Sequence, residues 1–299
     1  MFLMALELLR LPDLASHFPD SAFWRFVGFH TDHVIWTGCS LHDLIQPAFS
    51  FMVGMALPFS IASRQAKGQS KMAMFRPALW RAFLLIGLGV LLRFIDFRHI
   101  HWTFEDTLAQ IGLGYPLLFL LGFTSTRVRW SALIAILIGY WLLFALYPLP
   151  GPGFDRVDAQ IPTDWTLDFT GFAAHWNLNS NGAWAFDRWF LNLFPLNDHF
   201  KGNAEGYSTL SFIPTLATML IGLIAGQWFK NGPRGTPLLI KLIVTGAIML
   251  TAGLILHYTG LCPIVKKLWT PSWTLLSGGW CLFLIAAFHG INDIGQRNA

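Results

Sequence analysis

The sequence predicts an all-α, polytopic transmembrane helical bundle. Three observations carry that prediction: few charged residues, apolar blocks of membrane-crossing length, and basic residues gathered mostly in the short segments between the blocks. Charged residues make up 12% of the chain and hydrophobic residues 54%, whereas a soluble domain carries roughly 25% charge. So few charges cannot cover a water-facing surface. Backbone groups in lipid must be satisfied inside a helix or a closed barrel, and these blocks lack the polar alternation of barrel strands.

Apolar windows place seven full spans near Leu41–Ile61, Ala78–Ile95, Thr107–Phe123, Trp130–Tyr147, Leu210–Trp228, Leu238–Tyr258 and Trp273–His289. Each is close to the ~20 residues needed to cross the hydrocarbon core. The opening stretch Met1–Leu9, MFLMALELL, is apolar but only about half that length. With no basic flank and no small-residue cleavage site it reads as the second half of a helix rather than a signal peptide. The whole chain, residues 1–299, then reads as a single membrane domain.

The linker Ser63–Arg81 carries Arg64, Lys67, Lys71, Arg76 and Arg81 and no acidic residue. Cytoplasmic loops are enriched in Lys and Arg, so loop 63–81 is placed in the cytoplasm and the protein in an inner (plasma) membrane. Alternation then puts Arg127, Arg129, Lys230, Arg234 and Lys241 on the same side and the acidic stretch Asp96–Asp106 on the other. Lys266 and Lys267 fall on the wrong side, which a bias summed over all loops tolerates. The net charge of +4 is therefore a record of orientation and of contact with lipid headgroups, and no nucleic-acid partner is expected. Segment 148–207 is far longer than an ordinary connection. Its Trp165, Trp176, Trp184 and Trp189 argue against disorder, so it is expected to form an ordered extracytoplasmic cap. Cys39, Cys262 and Cys281 have no metal-ligand spacing; Cys39 and Cys262 share the outer face and could meet there. No metal site is expected.

Chemistry concentrates in FHTDHVIWTGCSLHDLIQPAFSFMVG, Phe29–Gly54, where His30, His33, His42, Asp43 and Gln46 crowd the outer start of a helix. Ionisable groups there are costly and mark functional sites by default, though an Asp in a first helical turn also caps a helix and interfacial histidines also meet headgroups. An imidazole accepts a proton near neutrality and a carboxylate beside it orients the ring. That pair suits acyl transfer and equally a proton relay in a transporter, with Glu7 as a further member of the relay. Gln46 and Gln110 bind a ligand or join helices. Asn203, Glu205 and Tyr207 close the long loop and suit sugar hydroxyls, while Trp184 and Trp189 either stack on a pyranose or anchor the protein at the interface.

The segment WTGCSLHDLIQPAFSFMVGMALPFS resembles the membrane acyltransferases related to heparan-alpha-glucosaminide N-acetyltransferase. His33, Trp36, Gly38, Asp43, Leu44, Pro47, Phe49, Phe51 and Gly54 fill that family's pattern H-x-x-W-x-G-x-x-x-x-D-L-(I/V)-x-P-x-F-x-F-x-x-G. Further similar blocks follow in order, QIGLGY at Gln110–Tyr115, STLSFIPTLATMLIG at Ser208–Gly222 and KLWTPSWTLLSGG at Lys267–Gly279. The resemblance implies transfer of an acetyl group from cytoplasmic acetyl-CoA to an extracytoplasmic amino sugar or related glycan acceptor. It implies His33 as general base or transient acetyl carrier, with Asp43 supporting the ring. Arg81, Arg76 and Lys71 would neutralise CoA phosphates, with Gln46 and Gln110 along the path, or serve topology and lipid headgroups alone. Trp36, His30, Asn203, Glu205 and Tyr207 would line the acceptor side. Where many relatives have a Gln-Arg pair this chain has Ala109 and Gln110, which leaves acceptor identity open. Relatives also continue into further spans, so truncation at both ends is expected. A secondary transporter or exporter of a sugar or acidic solute is the rival reading, and homo-oligomerisation stays open.

Overall fold

The structure is a computed structural model that describes residues 9–97, 102–195 and 198–294. The half helix expected at Met1–Leu9 lies outside the described residues except for Leu9, and so does Glu7 of the transporter reading; the acidic stretch Asp96–Asp106 is described only in part. The elements are α1 (Leu11–Ser16), α2 (Ala22–His30), α3 (Ile45–Ala66), α4 (Lys71–Phe97), α5 (Thr107–Leu121), α6 (Thr126–Ala145), α7 (Gly182–Phe190), α8 (Phe212–Asn231), α9 (Thr236–Tyr258) and α10 (Pro271–His289). The described residues contain no strand, only an isolated bridge between Thr37 and Val265. The all-α expectation holds.

Among the described residues six helices are long and apolar enough to cross a membrane, where the sequence predicts seven spans. The difference is α5, which has 15 residues and at 1.5 Å per residue rises only ~22 Å. Both of its ends are capped from outside. Asp106 accepts from the amides of Leu108 and Ala109 at 2.8 and 3.1 Å. At the other end Arg129 donates to the carbonyls of Leu121 and Gly122, both at 3.1 Å, and of Thr124. Arg129 is buried, so this cation serves as a helix cap. The basic linker also differs from expectation: α3 runs on to Ala66 and α4 begins at Lys71, so only residues 67–70 break the helices. Gly68, at φ 74°, supplies the left-handed turn.

Helix α8 is the hub, buried at every residue from Pro214 to Gly226. It packs along α3 and against α5, α6 and α10, while α4 pairs with α5 and α9 with α10. The outward faces of α4 and α9 are apolar, with Leu79, Trp80, Phe83, Ile240, Val244 and Ile248 all exposed. Contiguous exposed apolar faces of this kind are those of helices that meet lipid or other helices. The α3–α8 contact has no room for side chains: a Cβ on Gly54 would overlap the carbonyl of Met219, and one on Gly222 the carbonyl of Phe51. Backbone atoms cannot move aside as a side-chain tip can. Gly222→Ala is therefore expected to destabilise the bundle by about 1–3 kcal/mol, read as a lower thermal unfolding midpoint in detergent; an unchanged midpoint would contradict the tight crossing.

Residues 148–207 build a second apolar core over one end of the bundle. Trp176 is fully buried and stacks on Phe144 of α6 with ring centroids 5.9 Å apart. Leu178 and Ala183 pack with Tyr140, Leu210 and Leu268 in the same cluster. Asp187 of α7 is buried here; its Oδ2 accepts from the Thr209 amide at 3.0 Å and its Oδ1 has no hydrogen-bond partner. Burial pushes its carboxyl up to about 6, with the Thr209 hydrogen bonds pulling the other way. A carboxyl raised from its unfolded value of 3.8 to about 6 contributes stability below the lower value that is lost as pH rises through the upper one. Asp187→Asn is expected to raise the unfolding midpoint at neutral pH, by an amount equivalent to up to ~3 kcal/mol, and to leave it unchanged at pH below the unfolded carboxylate range.

Candidate functional site

The site forms where the segment leading into α3 meets the segment between α9 and α10. Ser40 and Asp43 cap each other: the Ser40 amide donates to Asp43 Oδ2 at 3.0 Å, and the Asp43 amide donates to Ser40 Oγ at 3.2 Å. This is the reciprocal arrangement of a capping box. Ser40 Oγ also donates to the Asp32 carbonyl at 2.6 Å, holding the preceding turn. The second segment is tied down by Thr270 and Ser272, whose hydroxyls both donate to the Pro263 carbonyl at 2.8 and 2.7 Å. The two segments are joined by the Thr37–Val265 bridge and by the Gly38 amide donating to the Ile264 carbonyl at 3.1 Å.

With Oδ2 used for capping, Asp43 Oδ1 is left for chemistry. It lies 2.8 Å from His33 Nδ1 and 3.0 Å from Lys266 Nζ. Asp43 is fully buried and the Lys266 side chain only 7% exposed, whereas His33 is 45% exposed. An acceptor shared by a lysine and an imidazole favours the tautomer with hydrogen on Nδ1, so the lone pair sits on Nε2. Lys266 Nζ also lies 3.0 Å from Nδ1, and a ring nitrogen that donates to Asp43 cannot accept from Lys266 at the same time. Burial pulls the Lys266 amine below its usual range, with Asp43 opposing that pull. Lys266 is the residue that sequence reading missed. Its place on the wrong side by the orientation bias was the available signal, and the structure gives that cation a buried carboxylate partner.

His33, His42, Gln46, Arg93, Glu105, Tyr207 and Lys266 line a cavity of 260 Å³. The His42 ring packs against that of His33 at 4.4 Å. A larger cavity of 880 Å³ adjoins it and is lined by Asn203, Glu205, Lys201, His199 and Trp102 together with Arg93, Glu105 and Tyr207. Asn203, Glu205 and Tyr207 thus line the larger cavity together, and of the three Tyr207 also lines the cavity of His33. Asn203 Nδ2 donates to Glu105 Oε2 at 2.9 Å, and Lys267 sits over the Tyr207 ring, 5.5 Å from its centroid. Burial, and then the neighbouring Glu205, push the Tyr207 phenol up to about 12.

Other expected site residues lie elsewhere. Trp36 is buried in the cap core, with Trp165 edge-on at 5.4 Å and Gly206 against its ring. His30 accepts from the Leu41 amide through Nδ1 at 3.3 Å and lines neither cavity. Gln46 lines the smaller cavity while its amide donates to Gln110 Oε1 at 3.3 Å, which also accepts from Thr215 at 2.9 Å, joining α3, α5 and α8. Lys71, Arg76 and Arg81 are exposed on α4, and Lys71 sits over the Phe123 ring. Arg93, further along the same helix, lines the cavity, and the 22 positions from Lys71 to Arg93 rise ~33 Å. Lys71 and Arg76 therefore belong to the far end of a membrane-length helix, whereas Arg81, 12 positions from Arg93, stands ~18 Å from it, near the middle of the helix. Cys39, Cys262 and Cys281 are all free thiols. Among the described residues no group of three His, Cys, Asp or Glu side chains is arranged to hold a metal ion.

Fold and site together define a multi-pass membrane protein with a buried Asp–Lys pair presenting a histidine to a polar cavity at one end of the bundle. The chain is similar to human heparan-alpha-glucosaminide N-acetyltransferase, 24% identical over 318 residues covering 91% of this chain and 45% of that protein. It is also similar to the mouse protein of the same name, at 21% identity over 316 residues covering 91% of this chain and 46% of that one. These similarities support a family-level relationship to heparan-alpha-glucosaminide N-acetyltransferase. The chain spans about half the length of the curated relatives it matches. No family model matches the chain.

Proposed function

We propose that this chain is the acyltransferase domain of an inner-membrane enzyme that moves an acetyl group from cytoplasmic acetyl-CoA to an extracytoplasmic amino sugar or related acceptor. The reading rests chiefly on one observation: a half-exposed histidine that lines the smaller cavity and whose Nδ1 is held by a fully buried carboxylate at 2.8 Å. That is how a base is oriented for proton abstraction. In the direct route Nε2 takes a proton from the acceptor nitrogen as it attacks the thioester carbonyl, and the CoA thiolate leaves. In the covalent route Nε2 attacks that carbonyl first, the C–S bond breaks, and the acetyl group passes from imidazole to amine. Both use the same residues.

CoA phosphates would meet Lys71, Arg76 and Arg81 on the cytoplasmic face, and the pantetheine arm would run through the bundle past Gln110 and Gln46 to His33. Charge complementarity at the cation cluster supports this placement, as does the membrane-scale rise of α4 between Lys71 and Arg93. Segment 148–207, on the extracytoplasmic side, would cover the acceptor. The test is thermal stabilisation of the purified, full-length protein by acetyl-CoA. Stabilisation is expected in both wild type and His33→Ala, with acetyl transfer lost only in the variant. No stabilisation by acetyl-CoA, or solute flux into liposomes without CoA, would overturn the reading.

A further inference from the structure

The two cavities share only Arg93, Glu105 and Tyr207 among their lining residues, so anything passing from the larger space to His33 moves past these side chains. Of the three, Glu105 is the carboxylate. It is held from the side by Asn203 Nδ2 at 2.9 Å, and its Oε1 is 3.8 Å from Arg93 Nη2, a loose ion pair that a second cation can replace. Its side chain is 17% exposed. The smaller cavity, at 260 Å³, is of a size to take the reacting end of an acceptor with an acetyl group, not a whole oligosaccharide.

The chemistry of amine acetylation raises a requirement that His33 alone does not meet. Near neutral pH an acceptor amine is an ammonium with no lone pair. It must lose one proton before it can attack and a second after the C–N bond forms. Resting on the acetyltransferase reading above, we propose that Glu105 is a second catalytic base: it binds the acceptor as an ammonium at the junction of the two cavities and takes its first proton. The ammonium gives a proton to the Glu105 carboxylate, and the freed nitrogen attacks the acetyl carbonyl. The C–S bond breaks, and His33 Nε2 takes the second proton and passes it to the CoA thiolate. The proton on Glu105 leaves to water in the larger cavity. In balance, an ammonium and a thioester become an amide, a thiol and one released proton. A hydroxyl acceptor has only one proton to lose, so Glu105 also selects amines over alcohols.

The groups facing Glu105 are consistent with such a base. Arg93 of α4 lowers its affinity for a proton. Asp187 of α7 and Glu205 of the closing loop raise it, and Asn203 donates to the charged form. His33, His42, Asp106, Tyr207 and Lys266 look onto it across the smaller cavity. Burial outweighs the rest and carries the carboxyl up to about 7.

The experiment measures acetyl transfer from acetyl-CoA to glucosamine against pH, with wild type, Glu105→Gln and Glu105→Asp. Wild-type kcat/KM is expected to rise with pH and level off above about 7. Glu105→Gln should be reduced by about 10²-fold at neutral pH, with the loss shrinking at alkaline pH as the free amine becomes abundant. Glu105→Asp, which keeps the carboxylate, should regain part of the low-pH rate, and acetyl-CoA stabilisation should be unchanged in both variants. A wild-type pH profile in Glu105→Gln, or an equal loss at every pH, would overturn the assignment. Failure of the acetyltransferase reading is distinguishable, because wild type would then neither bind acetyl-CoA nor acetylate glucosamine.

Discussion

Asp43→Asn is expected to lower acetyl transfer per folded molecule by about 10³–10⁴-fold while acetyl-CoA still stabilises the protein. The reason lies in the hydrogen-bond direction at His33. An asparagine can turn its NH₂ toward Nδ1, 2.8 Å from the present Oδ1, and then donates where the carboxylate accepted. That places the ring hydrogen on Nε2, so no lone pair faces the cavity. The substitution also strips Lys266 of its counter-ion, so activity must be normalised to folded protein. Retention of more than a tenth of the wild-type rate would show that the carboxylate does not orient the base.

Lys266→Met carries the largest expected effect on stability, a loss of about 3–5 kcal/mol. Asp43 is fully buried and Lys266 is its cationic partner at 3.0 Å; removing one member leaves an uncompensated charge, which is far costlier than the pair was beneficial. Activity falls with it because the same oxygen positions His33. The double variant Asp43→Asn/Lys266→Met is expected to recover most of the stability and none of the activity, measured by thermal unfolding and by acetyl transfer. If the double variant is no more stable than Lys266→Met alone, the ion pair is not what holds these segments together.

The capping and catalytic readings of Asp43, which composition and spacing leave as alternatives, turn out to be compatible. One carboxylate oxygen caps against Ser40 and the other reaches His33 and Lys266. Nothing in the linear pattern divides two oxygens of one side chain. Gln46 likewise lines the cavity while also binding Gln110, which lines neither cavity.

By itself the sequence determined the membrane residence, the all-helical fold and the neighbourhood of His33 and Asp43, because each depends on local quantities: hydropathy over about 20 residues, backbone satisfaction in lipid and motif spacing within one segment. The shortness of α5 was not legible, since its apolar run continues past the point where Arg129 caps the backbone. Tertiary structure alone decided that Lys266, 223 positions from Asp43, is its partner, and that Glu105 stands where two cavities join. Hydropathy treats a loop cation as a sign of orientation. Only the return of α9 and α10 to the end of the bundle where α3 begins brings that cation against a buried carboxylate and gives it a site to serve.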